Sequence, residues 1–139
     1  MPSNSLIFSN KVADIYHNPD DKKMTIIYHG LVNYGLLIEV IESINKVVEE
    51  NGISGALVDL CKLHGSFHRL LGYMEETGFP LLIKHGLKFQ AQIISDDIIM
   101  QNLSKKVEAM LVSLGVNANT FYNREEAEEW LDKALLKER

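Results

Sequence analysis

Apolar positions along the chain change their period several times, and each change predicts an element. Lys11 to His17 and Lys23 to His29 are rich in β-branched and aromatic residues and predict two strands. Asn18-Pro19-Asp20-Asp21 between them is turn chemistry, with Pro fixing one φ angle. An antiparallel hairpin ending at Gly30 follows. From Tyr34 to Glu50 the spacing becomes helical: Leu37, Val40, Ile41, Ile44 and Val48 make one stripe. Asn51-Gly52 is a stop signal, because Gly takes the left-handed conformation after a helix cheaply. Gly55 to Cys61 predicts a third strand. Its run Ala56-Leu57-Val58 is continuous rather than alternating, as in a central parallel strand buried on both faces. Asp59 stands near the carboxyl end of that strand, the edge where open α/β sheets bind ligands.

The second half repeats the alternation. A helix is predicted from about Ser66, with Phe67, Leu70, Leu71 and Met74 apolar and Gly78 ending it. Pro80 opens a short turn through His85, and Gly86 breaks it. Phe89 to Ser95 predicts a strand with Phe89, Ala91 and Ile93 on one face and Gln90 and Gln92 on the other. Asp97 to Leu114 is a helix with Met100, Leu103, Val107, Met110, Leu111 and Leu114 on its stripe. A short strand at Asn119 to Tyr122 leads into a last helix. Asn123 is its N-cap, Glu126 stands three residues on, and Ala127, Trp130, Leu131 and Ala134 form its apolar face. The order ββαβαβαβα predicts a single α/β domain over residues 11–136, with a mostly parallel sheet and an antiparallel N-terminal hairpin. Residues 1–10 read as a flexible segment and residues 137–139 as a frayed tail.

Composition narrows the classes. The 139 residues are 46% apolar and 24% charged, as in a folded globular chain. The net charge of −5 argues against a general affinity for nucleic acid or an anionic membrane. One cysteine excludes an internal disulfide. No run approaches the ~20 apolar residues of a membrane span, and Met1 to Asn10 does not read as a signal peptide. A cytoplasmic protein is the expectation.

Three passages resemble the SpoIIAA-like family of STAS-type domains, a group related in fold to CRAL-TRIO lipid-binding domains. These are the hairpin DIYHNPDDKKMTIIYHG, the strand passage GALVDLCKL and the ending TFYNREEAEEWLDKAL. The likeness runs from about Val12 to Leu135. It implies a non-enzymatic domain that needs no cofactor. It also implies a regulatory partner protein and a phosphorylated Ser in an Asp-Ser-Ser/Thr-Gly context after the third strand. This chain departs from that motif with His64-Gly65-Ser66-Phe67-His68. Spacing from Asp59 puts Phe67 and His68 at the acceptor dipeptide, while Leu71-Gly72 fits the helix that follows.

Candidate chemistry is sparse. Ser66 is the nearest phosphoacceptor, and it also reads as a plain N-cap. Cys61, His64 and His68 are the only zinc-type donors close in sequence, and they suggest a metal-dependent activity. A buried strand cysteine with two loop-side histidines is the plainer explanation of them. Asp59 suits a ligand contact or a structural carboxylate. His17 and His29 read as solvated strand ends. Residues 70–88 hold more apolar side chains than one helix face needs, with Gly72, Gly78 and Gly86 as hinges. That segment suits a lid over an apolar ligand, a docking patch, or a second layer of core. No phosphate-binding loop is present in the sequence. The leading expectation is a regulatory or protein-interaction module whose surface includes Asp59, Ser66, Phe67, His68, Leu71, Met74 and Phe79. The alternatives are a carrier of a small apolar ligand gated by residues 70–88 and a metal-dependent activity at Cys61, His64 and His68. A homodimer is a further expectation if the apolar surplus is exposed.

Overall fold

The computed structural model describes residues 5–138. Six strands form one sheet in the order of the chain: β1 (Ser5–Ser9), β2 (Ala13–His17), β3 (Lys23–Leu31), β4 (Gly55–His64), β5 (Phe89–Ile93) and β6 (Asn117–Phe121). β1, β2 and β3 pair antiparallel, and β3 to β6 pair parallel. The predicted hairpin is β2–β3, closed by Asp21 N–H donating to the Asn18 carbonyl at 2.9 Å. The predicted central strand is β4, flanked by β3 and β5.

Helices α1 (Tyr34–Asn51) and α4 (Ile98–Ser113) connect parallel strands. A broken helical stretch does the same between β4 and β5. It consists of a 3₁₀ turn (His68–Leu70), α2 (Leu71–Tyr73), a π-helical turn (Met74–Gly78) and α3 (Phe79–Lys84). When parallel strands follow one another in order, crossovers of one hand all pass over the same face. Leu37 and Val40 of α1, Phe79 and Leu82 of α3, and Met100 and Val107 of α4 share one core with Met24, Ile26, Ala56 and Val58 of the sheet. The last helix, α5 (Arg124–Lys137), returns over the opposite face. There Ala127 and Leu131 bury Leu57, Phe89, Ala91 and Ile93.

Helix ends follow the sequence signals. Asn123 Oδ1 accepts from Glu126 N–H at 3.2 Å, as an N-cap should. Gly52 closes α1 at φ 63°, a conformation that penalises other residues.

Several boundaries differ from expectation. Residues 5–9 of the segment read as flexible are instead edge strand β1, paired with β2 through a bulge between Leu6 and Phe8. Residues 1–4 lie outside the described part. At the other end α5 runs through Lys137, and Glu138 Oε2 accepts from Lys88 Nζ at 3.1 Å, whereas Arg139 lies outside the described part. β4 is longer than predicted and carries one extra residue opposite β3, between Asp59 and Lys62. His17 is not solvated. It is 5% exposed, and its Nε2 donates to the Asp21 carbonyl at 3.0 Å. His29 pairs with Asp14 at 3.3 Å.

Candidate functional site

Between the sheet and its helical layer lies a cavity of about 60 Å³. Met24, Ile26, Ala56 and Val58 form its sheet side, and Ile41 and Ile44 of α1 form another wall. The broken stretch supplies Met74, Phe79 and Leu82, with Leu87 just beyond it. The polar side chains on the wall are Tyr28, Gln90 and Gln92. Water occupies about 30 Å³ per molecule, and an engineered apolar cavity of about 150 Å³ admits benzene. The observed space is therefore larger than one water and smaller than a benzene site.

The roof is the least regular part of the helical layer. Its π turn is an arrangement found mostly as a single turn and often at functional sites. Gly78 ends that turn against α1, where an added Cβ would stand 3.0 Å from Ile41 Cγ2. Asn45 of α1 reaches over to it, its Nδ2 donating to the Ile41 carbonyl at 3.2 Å and to the Gly78 carbonyl at 3.4 Å. Asn45 Oδ1 is buried without a partner, so this clamp is incomplete.

The seven residues expected on a working surface do not share one environment. Phe67 and Phe79 are buried at 4% and 7% exposure, and with half-buried Met74 they line the cavity. Burial removes Phe67 and Phe79 from any docking face and places them on an interior wall. Leu71 is half-buried beside the same core. Ser66 and His68 are exposed. Ser66 does not cap a regular helix: its Oγ accepts from His68 N–H at 3.2 Å at the start of the 3₁₀ turn. Asp59 is half-buried, and its Oδ1 accepts from Cys61 N–H at 2.9 Å, the bond of a structural carboxylate.

Cys61, His64 and His68 do not assemble. Among the described residues no three His, Cys, Asp or Glu side chains are grouped to hold a metal. The pleat and the extra residue of β4 explain this. Cys61 packs toward the α5 face beside Leu57 and Phe121, Leu63 turns to the opposite core, and His64 is exposed at the strand end. Burial first, and then the neighbouring Asp59 carboxylate, push the Cys61 thiol up to about 11. A protonated thiol is a poor nucleophile and a poor ligand.

The buried glutamines of β5 had a sequence signal: two amides on the face opposite Phe89, Ala91 and Ile93. Their place on a cavity wall emerges only when the helical layer covers that face. The glutamines form a relay. Gln90 Nε2 donates to Gln92 Oε1 at 3.2 Å, and Gln92 Nε2 donates to the Ser104 carbonyl at 3.1 Å and to Thr120 Oγ1 at 3.2 Å. Thr120 Oγ1 donates in turn to Glu108 Oε1 at 2.7 Å.

No helix among the described residues is long and apolar enough to cross a membrane. No protein-family profile matches the sequence, and no curated protein matches it. A solved structure does match: an uncharacterised protein of the DUF3478 family with a SpoIIAA-like fold, from Shewanella loihica PV-4. Identity is 23%, the TM-score is 0.53, and the match covers 90% of this chain and 98% of that one. At that identity the likeness carries architecture alone: this chain has a SpoIIAA-like fold, with the expected antiparallel hairpin followed by parallel strands and one further edge strand, β1, that the sequence did not predict.

Proposed function

We propose that the domain works by binding, and that it holds a small apolar ligand between the sheet and the 67–84 roof. The observation that carries this is the apolar cavity of about 60 Å³ walled by Phe67, Met74 and Phe79. These are three of the residues that the sequence marks as candidates. The roof is one continuous helical run from His68 to Lys84 whose pitch changes from 3₁₀ to α, to π and back to α, and such irregular turns are often found at functional sites. Local opening of the roof would enlarge the cavity.

Native mass spectrometry of freshly purified protein, repeated after denaturation, tests this reading. A mass excess that disappears on denaturation supports it. Amide NMR shifts at Met74, Phe79 and Leu82 on adding benzene support it independently. A clean apoprotein mass together with no benzene-induced shift overturns it.

One observation favours protein docking as a second reading. Leu31, Ile98 and Tyr122 are 76%, 67% and 66% exposed; Leu31 ends β3, Tyr122 follows β6, and Ile98 opens α4 after β5. Large exposed apolar side chains at one end of a sheet suit a partner surface. A partner protein bound by the natural chain and lost on Leu31→Asp and Ile98→Asp, with the fold intact, supports this reading. Equal binding by natural and altered chains removes it.

A further inference from the structure

The polar side chains of the cavity restrict what it can hold, and the inference from them rests on the apolar-ligand reading above. Gln90 and Gln92 are 6% and 1% exposed on a central strand, where an amide without partners is costly. Gln92 is satisfied at both ends. The direction of the relay is set at its far end. Glu108 accepts, so Thr120 must donate to it. Thr120 Oγ1 then accepts from the Gln92 amide nitrogen, and the Gln92 oxygen turns toward Gln90. Gln90 Nε2 donates to that oxygen, which leaves Gln90 Oε1, on a side chain that lines the cavity, outside the relay. Among the described residues nothing donates to Gln90 Oε1.

The wall carries no Lys, Arg, His, Asp or Glu. A carboxylate, phosphate or ammonium entering it would find no counter-charge, and an unpaired buried charge is strongly disfavoured. Burial also keeps the Tyr28 phenol neutral, because it raises that group's pKa.

We propose that the cavity selects a neutral ligand with an apolar body and one hydrogen-bond donor, a hydroxyl or an amide N–H, which donates to Gln90 Oε1.

The test uses benzene, phenol and benzoate as probes of one ring size, titrated into the full ¹⁵N-labelled chain at neutral pH. Phenol is expected to bind at least as tightly as benzene, although water solvates it better, and benzoate is expected not to bind. In Gln90→Leu, the affinity for phenol relative to benzene should fall about tenfold, the effect of burying an unpaired hydroxyl. Gln90→Met serves as a second apolar replacement and should repeat this result. If benzene binds and phenol does not, or if both variants leave the phenol-to-benzene ratio unchanged, the selection by Gln90 is overturned and the apolar-ligand reading stands. If none of the three binds the natural chain, both fall together.

Discussion

The two faces of the sheet are covered in different ways. At its centre the packing under α5 is close: Leu57, Ala91, Ala127 and Leu131 are all 0% exposed. Gly55 sits so tightly beneath the helix that an added Cβ would stand 3.1 Å from both Leu131 Cδ1 and Leu135 Cδ2. On the other face the cover is α1, α4 and the broken stretch from His68 to Lys84. That face retains a cavity of about 60 Å³, two buried glutamines and a half-paired Asn45. Close packing with small residues at the contacts serves stability. Space, amides and an irregular roof together cost stability, and the proposed binding role would give them a physical reason to be there.

The largest expected effect tests the tight face. Leu131→Ala removes a fully buried side chain from the centre of the α5 contact. It should cost about 3 kcal/mol in urea unfolding, because a tightly packed helix and sheet cannot collapse into the space left. A loss under about 1 kcal/mol would mean that α5 is loosely seated and that the contrast is misplaced.

Cys61, at the margin of that face, provides a chemical test. With its thiol pushed from 9.0 to about 11, the thiolate fraction at neutral pH is about a hundredfold below that of a free cysteine. Alkylation by iodoacetamide should be slow at pH 8 and climb with pH toward 11. Because the folded state holds this proton more tightly than the unfolded chain, its contribution to stability is intact below pH 9. It is lost as pH rises through that interval. Asp59→Asn should speed alkylation at a given pH, since the carboxylate is one cause of the shift. Rapid alkylation of the natural chain at pH 7 would refute the burial of this thiol.

A matched pair of enlargements compares the faces directly. Ala91 lies on the α5 face and Ala56 faces the cavity, on neighbouring strands. Ala91→Val should cost about 2 kcal/mol through overpacking. Ala56→Val should be neutral or stabilise by up to about 1 kcal/mol, because the added methyls enter existing space. Equal losses at the two positions, measured by urea unfolding, would erase the distinction between the faces.

Much of this contrast was legible in the sequence because periodic burial leaves a periodic pattern. The stripe from Leu37 to Val48 and the run Ala56-Leu57-Val58 each report which sides of an element are covered, and the structure covers those sides. Asn123 and Gly52 were readable because capping depends on a local conformation. The misses share the opposite property. β1 is five uncharged residues whose strand state comes from pairing with β2, a contact with no local signature. The roof is dense in apolar residues, but Gly72, Gly78 and Pro80 disturb its period, so an amphipathic helix and a broken one read alike. Cys61, His64 and His68 are neighbours in sequence, and the pleat and bulge of β4 separate them. The cavity had no signature of its own, since it is the volume left where three elements meet. Only Gln90 and Gln92 marked that face as unlike an ordinary core.

The smallest effect concerns how α5 is held at its exposed rim. Lys23 Nζ meets Asp132 Oδ1 at 2.9 Å, tying β3 to the helix, and the two side chains are 16% and 60% exposed. Such a pair gains little, because water screens it and two flexible side chains must be ordered. If α5 is held by Leu131 and its apolar neighbours, Asp132→Asn should lower stability by under about 0.5 kcal/mol. That small loss should fade as salt is raised, since a Debye length near 3 Å at 1 M screens an exposed pair. A larger loss, persisting at high salt, would assign part of the hold to the rim and weaken the account of that face as one fastened by shape.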